Sequence, residues 1–400
     1  MPKKFRTILL FFILFGLLFL FGYVENIKGV SLPLIKTEFN IDYEQQGLLV
    51  SLIAFAYVIF SLAGGIIIGK FGVKTSLSSG FILIILGLLA IFFLPGFFLA
   101  ASSLFIISAA SGVFEVSSNA LATQLFRKKA ALLMSLLHFF YGLGSIFSPR
   151  TAGLLAVNMG WRWVYLLSIP MVMILFIPAI LTRFPKDHSL DKESKEKITF
   201  FTAIKTPEVW LFSIVLGLMV PVELSTSNWG GLYFQDVYGQ DPATTGASFV
   251  SNFFILFTLS RLISGFIIEK VGYVHSLFIA SWAICGIFIL GFILGVNGIY
   301  VLPALGFFTA ILWPTLMAVA MGYFGNNSPV MTSAIVVITG AINAVINLIM
   351  GLTNSIIGPA WGYRSALLYA LLMIAALFVL NKKLLRYNRK ALDQESKKSV

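Results

Sequence analysis

The sequence predicts an all-α membrane protein in which two bundles of six helices are joined by one polar segment. Three observations predict this fold class. The 400 residues are 58% hydrophobic and only 11% charged, and the mean hydropathy of +0.95 is far above that of soluble proteins. The apolar residues fall into twelve long runs. One dense charged stretch, residues 183–207, leaves six runs on each side.

Each run is long enough to cross a bilayer, because about 20 apolar residues in a helix span the hydrocarbon core. Gly, Pro, Asn and charged residues separate the runs. In the first half the predicted helices are 7–34, 44–69, 75–94, 97–125, 130–158 and 162–181. In the second half they are 208–234, 242–268, 275–296, 299–323, 329–357 and 363–380. The first run is too long for a signal peptide and no cleavage site follows it, so we expect a retained helix.

The charged stretch 183–207 is predicted to lie in water, because an ionised side chain in the hydrocarbon core costs roughly 2.5–3.5 kcal/mol. The predicted domains are therefore an N-terminal bundle (1–182), a cytoplasmic linker (183–207), a C-terminal bundle (208–381) and a cytoplasmic tail (382–400). Most of the 28 Lys and Arg residues lie on the side of the linker and both termini, which predicts that this side is cytoplasmic. The exceptions are Lys28, Lys36, Arg150, Arg162, Arg261 and Arg364.

Several function classes are disfavoured by the sequence. The net charge of +12 comes from short clusters at helix ends, which set topology rather than bind nucleic acid. The single cysteine, Cys285, offers neither a disulfide nor a metal cluster. Without a GxxxxGK[ST] loop, an HExxH motif or a nucleophile elbow, we expect no cofactor, no bound metal and no enzymatic activity. We expect a monomer in the lipid of the plasma membrane.

The two halves repeat each other about 200 residues apart. Gly160-Trp161-Arg162 is matched by Gly362-Tyr363-Arg364. The turn GIIIGKFG is matched by GFIIEKVG, and the shared positions are Gly65, Gly69, Lys70 and Gly72 in the first copy and Gly265, Glu269, Lys270 and Gly272 in the second. A parallel repeat of six helices is typical of transporters.

This repeat resembles the major facilitator superfamily over the whole chain. The resemblance implies a gating role for the turn residues just given, although that family usually has an Asp where this sequence has Gly69 and Glu269. The stretches FEVSSNALATQLF (114–126), HFFYGLGSIFSPRTAG (138–153) and VPVELSTSNWGGLYFQDVYG (220–239) resemble signatures of the fucose, galactose and glucose proton-symporter group. That narrower resemblance implies sugar import coupled to protons.

Intramembrane acids are functional candidates because they are costly to bury. Glu115 lies mid-way along the fourth predicted helix, and Ser111 and Asn119 share its face. Such a polar stripe would line a cavity, where a carboxylate removed from water can bind and release a proton near neutral pH. The family resemblance places a proton carrier at Glu115. A structural carboxylate held by a neighbouring helix is the alternative.

Polar residues in the seventh and eleventh predicted helices suggest a sugar site. Glu223, Asn228 and Trp229 combine an acid, an amide and an indole, which suit hydroxyl groups and the C–H face of a sugar. Asn343 and Asn347 share one face of the eleventh helix, and amides bind neutral polyols without adding charge. The alternatives are an interfacial Trp and polar contacts between helices.

In the first helix, Glu25 is three residues before Lys28, a spacing that permits a local ion pair. The resemblance implies a second acid of the proton pathway at the position of Gly29. Glu25, one turn earlier, either substitutes for that acid or only pairs with Lys28.

Two further ionisable residues have predicted places. His138 shares a face with Tyr141 and Ser145; it either donates to substrate or to Glu115, or is a packing residue. Arg261 is assigned by its position to the cytoplasmic gate rather than to the substrate site.

These patterns predict a proton-coupled symporter that imports a small neutral polar solute, a hexose or a related sugar. Glu115 and Glu25 are the predicted proton-coupling residues. Asn119, His138, Glu223, Asn228, Trp229, Asn343 and Asn347 are the predicted substrate-binding residues. Proton-antiport efflux of drugs or metabolites is the alternative, because the 39 Phe residues suit an apolar pocket.

Overall fold

A computed structural model describes residues 3–125, 130–185, 200–325 and 328–398, all of them helices and short connections without a strand. The predicted linker residues 186–199 lie outside these ranges. In the first half the helices are α1 (Lys3–Asn26), α2 (Lys28–Phe39), α3 (Tyr43–Phe71), α4 (Val73–Phe93), α5 (Phe97–Leu125), α6 (Ala130–Met159), α7 (Arg162–Leu167) and α8 (Ile169–Leu181). In the second half they are α9 (Phe200–Ile204), α10 (Pro207–Asn228), α11 (Gly230–Tyr238), α12 (Ala247–Val271), α13 (Tyr273–Ile293), α14 (Gly298–Val301), α15 (Leu305–Phe324), α16 (Ser328–Ile356) and α17 (Trp361–Lys398).

Eleven stretches of the described chain are long and apolar enough to cross a membrane. Broken helices count together, so that α1 and α2 form one stretch, Lys4–Phe39. The remaining predicted crossing is α6, with 30 residues. At 1.5 Å per residue it is about 45 Å long, more than the roughly 30 Å core requires. The predicted all-α membrane fold is confirmed.

The helix ends follow the predicted breaks closely, because glycines with positive φ end the helices there. Gly72 (φ +83°) separates α3 from α4, and Gly272 (φ +91°) separates α12 from α13. These two glycines are equivalent positions of the repeat. Left-handed backbone is inexpensive only for glycine, so the repeated turn ends two equivalent helices in the same way.

The last helix is longer than its apolar run predicts. α17 continues through the region predicted as a tail. Leu384 packs against the core, and Lys383 forms an ion pair of 2.7 Å with Glu208 of α10. These contacts hold the helix to the bundle after the hydrophobic run ends. The short helix α9 likewise lies within the predicted linker.

The first crossing of each half is broken, and the two breaks face each other. α1 ends at Asn26 and α10 ends at Asn228, with α2 and α11 continuing beyond them. A Cβ on Gly29 would lie 3.0 Å from the Ser227 carbonyl oxygen, and one on Gly231 would lie 3.3 Å from the Gly29 carbonyl oxygen. The two bundles therefore meet backbone to backbone beside the breaks.

A candidate transport site between the two bundles

The two ends of the bundles differ in how closely the halves approach. We call the end at which α3 and α12 finish (Phe71 and Val271) the linker end, and the end at which α2 and α11 finish (Phe39 and Tyr238) the distal end. The contacts described next, which join the halves, lie between the distal end and the middle of the helices.

Polar side chains seal the distal end. Lys36 of α2 and Asp236 of α11 form an ion pair of 3.4 Å. The Tyr43 hydroxyl donates to Asp236 Oδ2 at 2.8 Å, and Lys36 lies 4.5 Å from the Tyr43 ring centroid. Gln235 also donates to Thr37 Oγ1 at 3.2 Å. We call these five residues the distal seal; each bond in it joins α2 or α3 to α11, except the contact of Lys36 with Tyr43.

Below the distal seal the halves touch along the seam of α3 with α16. A Cβ on Gly47 would lie 2.8 Å from the Gly351 Cα, and one on Gly340 would lie 2.0 Å from a Val58 methyl carbon. Between these points the Ser51 hydroxyl donates to the Ala344 carbonyl oxygen at 2.6 Å. Such distances leave no room for a larger residue, so the glycines allow the helices to close.

The seam of α6 with α12, and with the short helical segment Pro242–Gly246 that precedes α12, is built in the same way. A Cβ on Gly153 would lie 2.0 Å from the Ala243 carbonyl oxygen, and one on Gly142 would lie 2.2 Å from the Thr258 hydroxyl. The Ser251 hydroxyl donates to the Ile146 carbonyl oxygen at 2.9 Å. Both seams run from the distal end to the middle of their helices.

The predicted gating residues lie beyond the point where the seams stop. A Cβ on Gly69, Gly72 or Gly265 would meet no atom within 4 Å. A Cβ on Gly65 would meet only Val116 of the same bundle, at 4.0 Å. Lys70, Glu269 and Lys270 are exposed, and within the described chain they form no ion pair. In this structure the turn residues do not hold the two halves together, and their gating role stays a prediction.

Ionisable side chains from both halves converge where the seams stop. Glu115 of α5 and Glu223 of α10 both interact electrostatically with Arg261 of α12. Tyr57 of α3 donates a short hydrogen bond to Glu115 Oε2. Tyr141 of α6 interacts electrostatically with Arg261 as well as with Glu223. We call these five residues the central cluster.

The structure brings the Arg261 side chain near the central acids, and its assignment to the cytoplasmic gate stays a prediction. Its guanidinium lies 4.6 Å from the Phe257 ring centroid and among the central acids, whereas Glu269 lies two turns further along α12 and is exposed. The position of Arg261 along its helix predicted how deep it lies in the membrane. It did not predict the carboxylates that approach it from other helices. His138 is close enough to Arg261 for electrostatic interaction, so it lies beside the cluster.

Glu25 forms the local ion pair that its spacing allows. Its carboxylate accepts a short hydrogen bond from Lys28, and both side chains are largely buried. Glu25 also interacts electrostatically with Glu115 and Tyr141. The ion pair does not exclude a role in proton coupling, which stays a prediction.

The predicted sugar-binding amides form a buried chain between α10, α11 and α16. Trp229 Nε1 donates to Asn347 Oδ1 at 3.0 Å, and Asn347 Nδ2 donates to Asn343 Oδ1 at 3.0 Å. Asn228 Oδ1 is buried and has no hydrogen-bond partner within the described ranges. Asn119 is half-buried, one turn from Glu115 toward the linker end. In this structure Trp229 is 1% exposed, so these hydrogen-bonded side chains are closed to solvent.

Sequence reasoning gave no role to Tyr57, Lys36, Asp236 or Tyr43. Tyr57 lies in a long apolar run, where a lone tyrosine carries no signal. Lys36 and Asp236 lie at predicted helix ends, where charged residues are interpreted as signals for membrane orientation. Only the packing of the two halves brings these side chains together.

Two six-helix bundles that enclose ionisable residues where they meet define a secondary transporter fold. The chain belongs to the Major Facilitator Superfamily, whose family model matches residues 14–346. It is therefore a membrane transporter and not an enzyme.

Relatives place the chain in a group that includes known symporters. It is 25% identical to the L-fucose-proton symporter of Escherichia coli (strain K12) over 413 residues, which covers 92% of each protein. It is also 25% identical over 375 residues to a TsgA homologue of Buchnera aphidicola subsp. Acyrthosiphon pisum, with 90% of this chain and 94% of the relative covered.

Solved structures share the fold. The transporter FucP in its outward conformation matches with a TM-score of 0.66 and 19% identity, over 94% of this chain and 99% of FucP. A POT family transporter in complex with 5-aminolevulinic acid matches with a TM-score of 0.75 and 15% identity, over 93% of this chain and 96% of that one.

Proposed function

We propose that this protein is a proton-coupled symporter that imports a small neutral polar solute, a hexose or a related sugar. The observation that carries the proposal is the central cluster, in which carboxylates from opposite bundles both interact electrostatically with Arg261. The similarity to a fucose-proton symporter supports both the proton and the sugar.

The charges of the cluster favour a neutral solute. With both Glu115 and Glu223 ionised, the single cation Arg261 leaves one excess negative charge. A proton on either acid makes the cluster neutral. An anionic solute would require a further cation, because an unpaired charge in a site shielded from water is costly. A proton bound together with a neutral solute therefore leaves the site without a net charge.

The buried amides suit the hydroxyl groups of a sugar. Asn228 Oδ1 lacks a donor in this conformation, and a buried acceptor without a partner costs about 1–3 kcal/mol. A sugar hydroxyl would satisfy it. Trp229 lies next to it and supplies an aromatic face. We propose that these side chains become accessible to the solute when the distal end opens.

Proton coupling follows from the alternation of the two ends. In the proposed orientation the linker end faces the cytoplasm, and we assign the closed distal end to a carrier that is open to the inside. With the distal end open, Glu115 takes a proton from outside and loses its attraction to Arg261. The halves then rock with the solute bound. At the linker end Glu115 returns the proton, and the membrane potential contributes roughly 2.3 kcal/mol per charge per 100 mV.

Uptake into proteoliposomes tests this proposal. Labelled neutral hexoses are offered with and without an inward proton gradient. We expect one or a few related sugars to accumulate only when the gradient is present. Proton-driven expulsion of lipophilic cations, without sugar uptake, would overturn the proposal in favour of efflux.

A further inference from the structure

Tyr57 is the one hydrogen-bond donor that the described chain supplies to the Glu115 side chain. Its hydroxyl reaches Glu115 Oε2 from α3, a helix that also forms the seam with α16. We propose that Tyr57 is a positioning residue, which holds Glu115 in its charged form and links the proton on Glu115 to the α3–α16 seam. This inference rests on the proton-carrying role proposed for Glu115.

The backbone of Tyr57 is fixed against the helix that carries Glu115. A Cβ on Gly112 of α5 would lie 2.3 Å from the Tyr57 carbonyl oxygen. The Ser61 hydroxyl donates to the same oxygen at 2.8 Å. Gly112 is one turn before Glu115, so the close approach sets the distance that the phenol has to bridge. The ring of Tyr57 stacks on Phe21, with centroids 6.4 Å apart and an interplanar angle of 18°.

The other charged groups around Glu115 act at longer range and in opposite directions. Glu25 of α1 brings a charge of the same sign toward Glu115, and Arg261 of α12 brings the opposite charge. On α4, Lys74 is engaged with the carbonyl oxygens of Ile180 and Thr182 at the linker end.

On α6 the titratable groups that face this region are His138 and Tyr141, and both interact with Arg261. Glu223 of α10 also interacts with Arg261. Direct hydrogen bonding to the Glu115 carboxylate is therefore left to Tyr57.

The hydrogen bond depends on the charge of Glu115. A phenol that donates to a carboxylate makes a charge-assisted bond, which is roughly twice as strong as a neutral one. A proton on Glu115 removes the charge and weakens the bond. The next residue, Val58, is in contact with Gly340 of α16 at the last point of the seam. Loss of the bond therefore frees the part of α3 from which the halves separate.

Infrared titration of the purified protein without sugar tests this inference. The carboxyl band that disappears in Glu115→Gln reports the proton on Glu115. In Tyr57→Phe the ring and its stacking are kept and only the donor is lost. We expect Glu115 to hold its proton to a pH about one unit higher, a tenfold gain in proton affinity. Tyr363→Phe removes a buried hydroxyl that bonds Thr226 in the other bundle at 3.1 Å, and it should leave the titration unchanged.

The outcomes separate this inference from the proposed function. If Glu115→Gln removes no titrating band, the proposed role of Glu115 fails. If the band is present and Tyr57→Phe leaves its midpoint in place, the positioning role of Tyr57 is overturned.

A second measurement covers the case in which Tyr57→Phe does not fold. In the unaltered protein with isotope-labelled tyrosine, a phenol C–O band should shift with the same midpoint as Glu115. That shift should be lost in Glu115→Gln. Titration of Glu115 without a tyrosine signal would overturn the inference.

Discussion

Arg261 interacts electrostatically with carboxylates that come from opposite bundles, Glu115 and Glu223. Its Nε is buried without a hydrogen-bond partner in the described chain, and the side chain is anchored over Phe257. At the scale of single residues, the fit of the site to a proton and a neutral solute depends on this balance of charges. The acids were predictable because charges are rare in apolar helices. Their common partner was not, because the sequence does not show which helices approach each other.

Removal of the Arg261 charge should destabilise the protein strongly. Removal of that charge together with one acid should destabilise it less. Breaking a partly desolvated charge set by removing one partner costs roughly 3–5 kcal/mol. Arg261→Met should therefore lower the unfolding temperature in detergent and abolish sugar exchange. Arg261→Met combined with Glu223→Gln should recover most of the unfolding temperature without restoring exchange. Equal destabilisation in the single and double variants would contradict the charge balance.

At the scale of helices, the sequence predicted where each helix ends better than it predicted which helices pack against each other. Helix ends are set locally, by glycines such as Gly72 and Gly272, so the apolar runs and the breaks located them. The seams depend on Gly47, Gly142 and Gly153, because these glycines let a helix of the other half approach closely. A glycine in an apolar helix gives no sign of its partner, so these contacts were not predictable from one sequence.

The distal seal should hold the distal end closed. Asp236→Asn weakens the ion pair with Lys36 and the hydrogen bond from Tyr43, which together contribute about 1–2 kcal/mol. The open population should rise roughly tenfold, since 1.4 kcal/mol is a factor of ten. The measurement is the rate at which a membrane-impermeant maleimide labels Ser227→Cys in a Cys285→Ser background. Ser227 is 3% exposed in the closed form.

Glu38→Gln is the matched control for the distal seal. Glu38 lies at the same end and bonds Arg162 at 2.6 Å and Trp161 at 2.5 Å, but all three belong to one bundle. We expect no faster labelling of Ser227→Cys in this variant. Equal acceleration by both variants would mean that the distal seal has no special part in closure.

Glycine substitutions at the two ends should have different effects on the labelling rate. Gly153→Ala places a methyl group against backbone in the α6–α12 seam, so it should force the distal end open and speed labelling of Ser227→Cys. Gly265→Ala meets open space in this structure and should leave labelling unchanged or slow it by hindering closure of the linker end. Slower labelling in Gly153→Ala would contradict the role of the seam.

At the scale of the whole molecule, the two-bundle architecture and its repeat followed from composition and internal symmetry. The closure of the distal end did not, because the same sequence adopts every state of a carrier. We link the opening and closing of that end to one chemical event, the gain and loss of a proton at Glu115 where the seams stop.

Sugar-driven proton movement is the most direct test of that claim. A pH-sensitive dye is sealed inside proteoliposomes, and the transported sugar is added outside without an imposed gradient. Entry of sugar should acidify the lumen in the unaltered protein. In Glu115→Gln, sugar exchange should persist while the lumen pH stays constant. Sugar entry without acidification in the unaltered protein, or unchanged acidification in Glu115→Gln, would contradict the account.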